Sequence, residues 1–150
     1  MNASHRATWR LPPYTVEAQI LCLSETVDWG LSLYGVPDTW RETRGAGVTV
    51  AVLDTGIDET HPDLADALDE ARDFTRSRSG ASDRAGHGTH VAGTIGARQN
   101  ELGVIGVAPE CRLLVAKVLG DHGSGSTASV AAGIDWACER GADVLSLSLG

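Results

Sequence analysis

The stretch V-T-V-A-V-L-D, residues 48–54, decides the fold of this chain. It is a short, almost continuous apolar run, bounded by Gly47 and ended by Asp54. A run of that length and β-branched content reads as a strand covered on both faces. Strands of this kind belong to parallel sheets, whose crossover connections lay helices on either face. Asp54-Thr55-Gly56 then makes a sharp turn, leaving a carboxylate at the strand's carboxyl end.

Two further runs repeat the pattern. C-R-L-L-V-A-K-V-L at 111–119 reads as a second buried strand, and Asp143 to Leu149 as a third. Helical segments fall between them. In His87 to Ala97, Val91, Ala92 and Ile95 recur at three-to-four spacing among small residues. Gly93 and Gly96 lower helix propensity there and suit a helix packed closely on neighbouring backbone. Ser126 to Arg140 is amphipathic, with Val130, Ile134 and Ala137 on one face and Gly141 placed as a C-terminal cap. His61-Pro62-Asp63-Leu64 reads as a short helix or turn, Arg72 to Thr75 as a short strand, and Arg76 to Ala85 as a polar loop. Val27 to Trp40 is read as irregular with one short helix, packed by its aromatics Trp29, Tyr34 and Trp40. Residues 1–23 read as an extension in which Pro12-Pro13 favours an extended conformation.

Strands alternating with helices predict an α/β protein with a mainly parallel sheet. In such sheets, sites form outside the carboxyl ends of the strands. Asp54, the glycine-rich loop Gly120 to Gly125, and Ser148 to Gly150 all fall at such ends.

Composition narrows the function classes. A net charge of -8 argues against nucleic acid, which needs clustered Lys and Arg. Three widely spaced cysteines suggest neither a disulfide framework nor a CxxC metal site, and Cys111 and Cys138 read as small core residues. No apolar run approaches membrane-spanning length. The N-terminus lacks the pattern of a signal peptide. These readings together predict a cytoplasmic chain.

The chemistry sits in a second motif, G-H-G-T-H-V-A-G-T-I-G at 86–96. A carboxylate held against an imidazole fixes its tautomer and stabilises the cation formed when the ring takes a proton. Asp54 and His87 are the candidates for that pair. The dipole of a helix beginning at His87 disfavours the cation and the carboxylate favours it. Gly86 and Gly88 are read as leaving room around the ring.

V-A-V-L-D-T-G-I-D at 50–58, with H-P-D-L at 61–64, resembles the catalytic-aspartate motif of subtilisin-like serine peptidases (subtilases, peptidase S8). G-H-G-T-H-V-A-G-T at 86–94 is similar to their catalytic-histidine motif. The resemblance runs from about Trp29 to Gly150. It implies a three-layer α/β/α fold, here truncated, in which 24–150 form the N-terminal part of a catalytic domain. It implies Asp54 as orienting acid and His87 as general base for the cleavage of polypeptides. Ser124 and Gly125 would pair with one side of an extended substrate, and Ser148, Leu149 and Gly150 with the other. Thr127 would line a pocket for an upstream substrate residue. A calcium ion is implied at Asp63 and Asn100, with the carbonyls of Arg98, Leu102 and Val104 and the side chain of Glu25. R-L-P-P-Y at 10–14 resembles an element that covers the active site of intracellular subtilisins, so the extension 1–23 is expected to inhibit in cis.

The family's nucleophile lies in a G-T-S-x-A context, which does not occur in these 150 residues. The chain alone is therefore expected to be inactive. Two other readings stand beside this one. One is a metal-dependent hydrolase using Asp54, His61, Asp63, His87 and His90. The other is a noncatalytic binding module derived from the same family.

Overall fold

The computed structural model describes residues 8–10 and 24–150. The elements in chain order are β1 (Thr8–Arg10), α1 (Trp29–Leu33), α2 (Val36–Thr39), β2 (Thr49–Asp54), β3 (Leu68–Asp73), α3 (His87–Gly96), β4 (Arg112–Lys117), β5 (Ser124–Ser126), α4 (Thr127–Glu139) and β6 (Val144–Leu147). Four strands form one sheet in the order β3-β4-β2-β6. Every pairing in it is parallel. The fold is the expected α/β architecture.

The covering of both faces follows from the period-2 alternation of the central strands. Val50 and Val52 of β2, with Leu113 and Val115 of β4, pack on one side with Ala92, Val91 and Ile95 of α3. Ala51 and Leu53, with Leu114 and Ala116, pack on the other side with Val130, Trp136 and Ala137 of α4. A strand with apolar side chains on both faces has no solvent side, so the run at 48–53 shows no alternation in its sequence.

The registers fix where the strand ends lie. Asp54 is opposite Lys117, and Leu53 is opposite Leu147. The carboxyl ends of β2, β4 and β6 therefore share one edge. The loop at 120–123 and the segment 148–150 leave from that edge, as the sequence predicts.

Several expectations are corrected. The strand placed at Arg72 to Thr75 is instead Leu68–Asp73, the outer strand of the sheet beside β4. Its sequence, L-D-E-A-R-D, hides it because an outer strand tolerates charge. Of the two readings of His61 to Leu64, helix or turn, the structure has the turn. Trp29 and Tyr34 do not pack their segment, being 76% and 84% exposed. Trp40 does anchor it, donating Nε1–H to the Val107 carbonyl at 2.9 Å. Cys111 is buried as expected but Cys138 is exposed; Cys22 lies outside the described residues. Gly96 packs tightly on Cys111 and Leu113, whereas a side chain at Gly93 would meet open space.

Candidate active site

Asp54 is the last residue of β2 and is fully buried. His87 opens α3, and its Nδ1 lies 2.8 Å from Asp54 Oδ1. The same carboxylate oxygen accepts the Thr55 N–H at 2.7 Å. Oδ2 is buried and has no hydrogen-bond partner among the described residues. Burial raises the Asp54 carboxyl above its ordinary value, against the opposing hydrogen bonds from His87 and Thr55. The imidazole side chain remains 13% exposed. An imidazole held at Nδ1 by a buried carboxylate, with part of its ring open to solvent, has the geometry of an oriented general base.

The close approach of the two elements depends on Gly88. A Cβ on Gly88 would collide with the Gly56 carbonyl oxygen and crowd Asp54 Cβ. The missing side chain thus makes room for the Asp54 turn, not for space around the ring as the sequence reading had it. Gly56 itself has a φ of 111° and no room for a Cβ against the Ala81 carbonyl. Its turn requires glycine on both counts.

The sequence reading assigns no role at the site to two charged residues in the surroundings. Asp83 accepts hydrogen bonds from Thr55 Oγ1, Ala85 N, Gly86 N, Thr89 N and Thr89 Oγ1. Lys117 is fully buried at the end of β4. Its ammonium donates to the carbonyls of Thr55 and Ser82 and pairs with Asp121 Oδ1 at 3.0 Å. A signal for Lys117 was available, since a lone charge inside an apolar strand must find partners. Asp83 sits in a polar loop and carries no comparable mark.

The expected substrate edges, β5 and the segment 148–150, lie on the two sides of β1. Strand β5 pairs antiparallel with β1, with Thr8 opposite Ser126, Trp9 opposite Gly125 and Arg10 opposite Ser124. On its other side, Arg10 exchanges both backbone hydrogen bonds with Gly150, each at 3.0 Å. Trp9 packs against the cluster that includes Val130 and Leu119, as does Leu149. Ser148 and Leu149 lie between β6 and this pairing, and Thr127 begins α4 beside it with its side chain exposed. A Cβ on Gly125 would collide with the Val118 carbonyl. Of the segment 10–14, only Arg10 is among the described residues; the paired strand is Thr8–Arg10.

The residues expected to hold calcium come together at a separate place. Asp63 is 2% exposed, and no cation pairs with it among the described residues. It accepts from Asn100 Nδ2 at 3.0 Å and from Val104 N at 3.2 Å. Glu25 Oε1 accepts from Asn100 N at 2.9 Å. The carbonyls of Glu101 and Gly103 bond to the N–H groups of Glu25 and Thr26. Those of Arg98, Leu102 and Val104 accept no hydrogen bond among the described residues. Asp54, His61, Asp63, His87 and His90 form no joint metal site. Among the described residues, no three His, Cys, Asp or Glu side chains are grouped to hold one.

The family model of the subtilases (peptidase S8) matches residues 45–150. The chain belongs to the subtilase family. An intracellular serine protease of Paenibacillus polymyxa is 47% identical over 142 residues, 92% of this chain and 43% of the relative. The major intracellular serine protease of Bacillus subtilis (strain 168) is 43% identical over 147 residues, 94% of this chain and 46% of the relative. An alkaline protease of Alkalihalobacillus alcalophilus is 47% identical over 135 residues, 89% of this chain and 35% of the relative. The subtilase chain described here thus spans less than half the length of these relatives.

Proposed function

We propose that this chain is the aspartate- and histidine-bearing part of a serine endopeptidase. The observation that carries the reading is the 2.8 Å contact between Asp54 Oδ1 and His87 Nδ1, within a subtilase sequence. Asp54 accepts the Nδ1–H of His87 and fixes the tautomer that leaves Nε2 able to take a proton. Nε2 then removes the proton of a serine hydroxyl as its oxygen attacks a peptide carbonyl. It returns that proton to the leaving amine. The serine is supplied from outside these 150 residues, whose own serines lack the G-T-S-x-A context. In a complete protein carrying that serine, His87→Ala should lower kcat by orders of magnitude with little change in KM. An unchanged kcat would refute the assignment.

The substrate is an extended polypeptide, held between β5 and the segment Ser148 to Gly150. The pairing of β1 with both edges supports this, because a strand of this chain makes there the main-chain bonds a substrate would make. The extension 1–23 is a cis inhibitor of the domain 24–150 until removed, its strand β1 standing where substrate would pair. The names of two relatives, which call them intracellular, support a cytoplasmic setting.

Calcium is the ion suited to the oxygen-only donor set of Glu25, Asp63, Asn100 and the carbonyls of Arg98, Leu102 and Val104. The buried Asp63 carboxylate, and the three carbonyls, which among the described residues have no paired cation and no donors respectively, support the fit. The ion would neutralise Asp63 and fix the loop at 98–104 against the segment at 25–26. It takes no part in the proton transfers.

A further inference from the structure

We propose that Asp83 is a positioning residue for the Asp54–His87 pair, tying the turn after the aspartate to the first turn of the helix that presents the histidine. The inference rests on the reading of that pair as the acid–base machinery of a peptidase.

Asp54 and His87 are brought together from different elements, and one hydrogen bond between side chains does not fix two backbones. Asp83 supplies the missing link on both sides. Its Oδ1 accepts the hydroxyl of Thr55 at 2.8 Å, and Thr55 is the residue directly after Asp54. The same oxygen accepts Gly86 N at 2.9 Å and Ala85 N at 3.0 Å, the residues directly before His87. Its Oδ2 accepts Thr89 N at 2.9 Å and Thr89 Oγ1 at 2.8 Å, two residues after His87. The circuit closes twice more. Gly88 N donates to Thr55 Oγ1 at 2.9 Å, and Asp58 N donates to Thr89 Oγ1 at 3.0 Å.

Helix α3 has no side-chain cap of its own, because its N-cap is Gly86 in a left-handed conformation. The open N–H groups of its first turn are met instead by Asp83 and Thr55. Asp83 thus acts as a cap from outside the helix, joined to the Asp54 turn. No Lys, Arg or His pairs with Asp83 among the described residues. Burial pushes its carboxyl up, but the hydrogen bonds from Thr89, Gly86 and Thr55 outweigh this and hold it below the ordinary value. The group is an anion at neutral pH. A negative charge at the helix N-terminus also offsets the dipole's opposition to the imidazolium that forms when His87 takes a proton.

A residue that only stabilised the fold would leave the imidazole in place in the folded molecules that remain. The test is the ring Nδ1–H resonance of His87 in the 150-residue chain, labelled with 15N-histidine, below its melting temperature. The wild-type chain shows a downfield Nδ1–H signal that Asp54→Asn removes. Asp83→Ala is expected to remove or severely broaden it while circular dichroism stays native. Thr55→Val, a near-isosteric change, is expected to do the same and decides the matter where Asp83→Ala does not fold. Asp28→Ala, which removes the cap of the distant helix α1, keeps the signal. Persistence of the signal in Asp83→Ala and Thr55→Val overturns the positioning role and leaves the acid–base pair standing. A wild-type signal that is absent, or that survives Asp54→Asn, overturns the pair itself and the positioning role with it.

Discussion

Arg10 and Gly150 exchange both backbone hydrogen bonds at 3.0 Å, while Arg10 also stands opposite Ser124 in the β1–β5 ladder. Strand β1 thereby lies between the two proposed substrate edges, with the Arg10 backbone bonded to Gly150 and the ladder running along β5. Removal of residues 1–23 from a protein carrying the nucleophile should raise kcat/KM for peptides by about tenfold or more. That is what about 1.4 kcal/mol of competing binding amounts to. Trp9→Ala should give part of the same gain. Equal rates with and without the extension would reject cis inhibition.

Two glycines of α3 should respond in opposite directions. Gly88→Ala forces a methyl group into the Gly56 carbonyl and should destabilise the chain by about 1–3 kcal/mol. Gly93 faces open space. Gly93→Ala should add helix propensity and stabilise by roughly 0.8–1 kcal/mol. Thermal denaturation of the two variants measures both, and a loss of stability in Gly93→Ala would show that the helix packs more closely than described.

Asp54 costs stability at neutral pH. Its folded carboxyl lies above the unfolded value of 3.8, chiefly through burial. Below that unfolded value both states are protonated and there is no penalty. As pH rises, the unfolded chain ionises first and is favoured, so stability falls through the raised folded value. Asp54→Asn should therefore melt at a higher temperature than wild type at pH 7. The difference should vanish near pH 3. A lower melting temperature at pH 7 would mean that the contacts with His87 and Thr55 outweigh burial.

The same principle governs what could be seen in the sequence. Buried strands β2 and β4 announce themselves because both faces need apolar side chains. The outer strand β3 does not, since L-D-E-A-R-D meets solvent along one edge. Asp54 and His87 were legible through their flanking motifs, and the glycines beside them were legible as a need for space. Which space each glycine serves was not, because Gly88 meets a residue far away in sequence. Asp83 was hidden for the same reason. Its hydrogen-bond partners include backbone N–H groups, which no residue type reveals. The exposure of Trp29 and Tyr34 runs against their apolar character, and nothing in the local pattern marks it.

Added calcium should raise the melting temperature, by mass action on the folded state, by the equivalent of about 2.7 kcal/mol at a hundredfold excess over Kd. Asp63→Asn should abolish most of that rise. Identical melting curves with calcium and with chelator would remove the ion from the account.

The most direct test of the central claim is labelling by a fluorophosphonate probe. Residues 24–150 would be joined to the segment that follows the matched region in the Paenibacillus polymyxa relative, and compared with the 150-residue chain alone. The joined protein should be labelled at the serine of the added segment, and His87→Ala should suppress that labelling by orders of magnitude. The 150-residue chain should not be labelled. Labelling of that chain at one of its own serines, or undiminished labelling of the joined protein with His87→Ala, would contradict the assignment of Asp54 and His87 as a base awaiting its nucleophile.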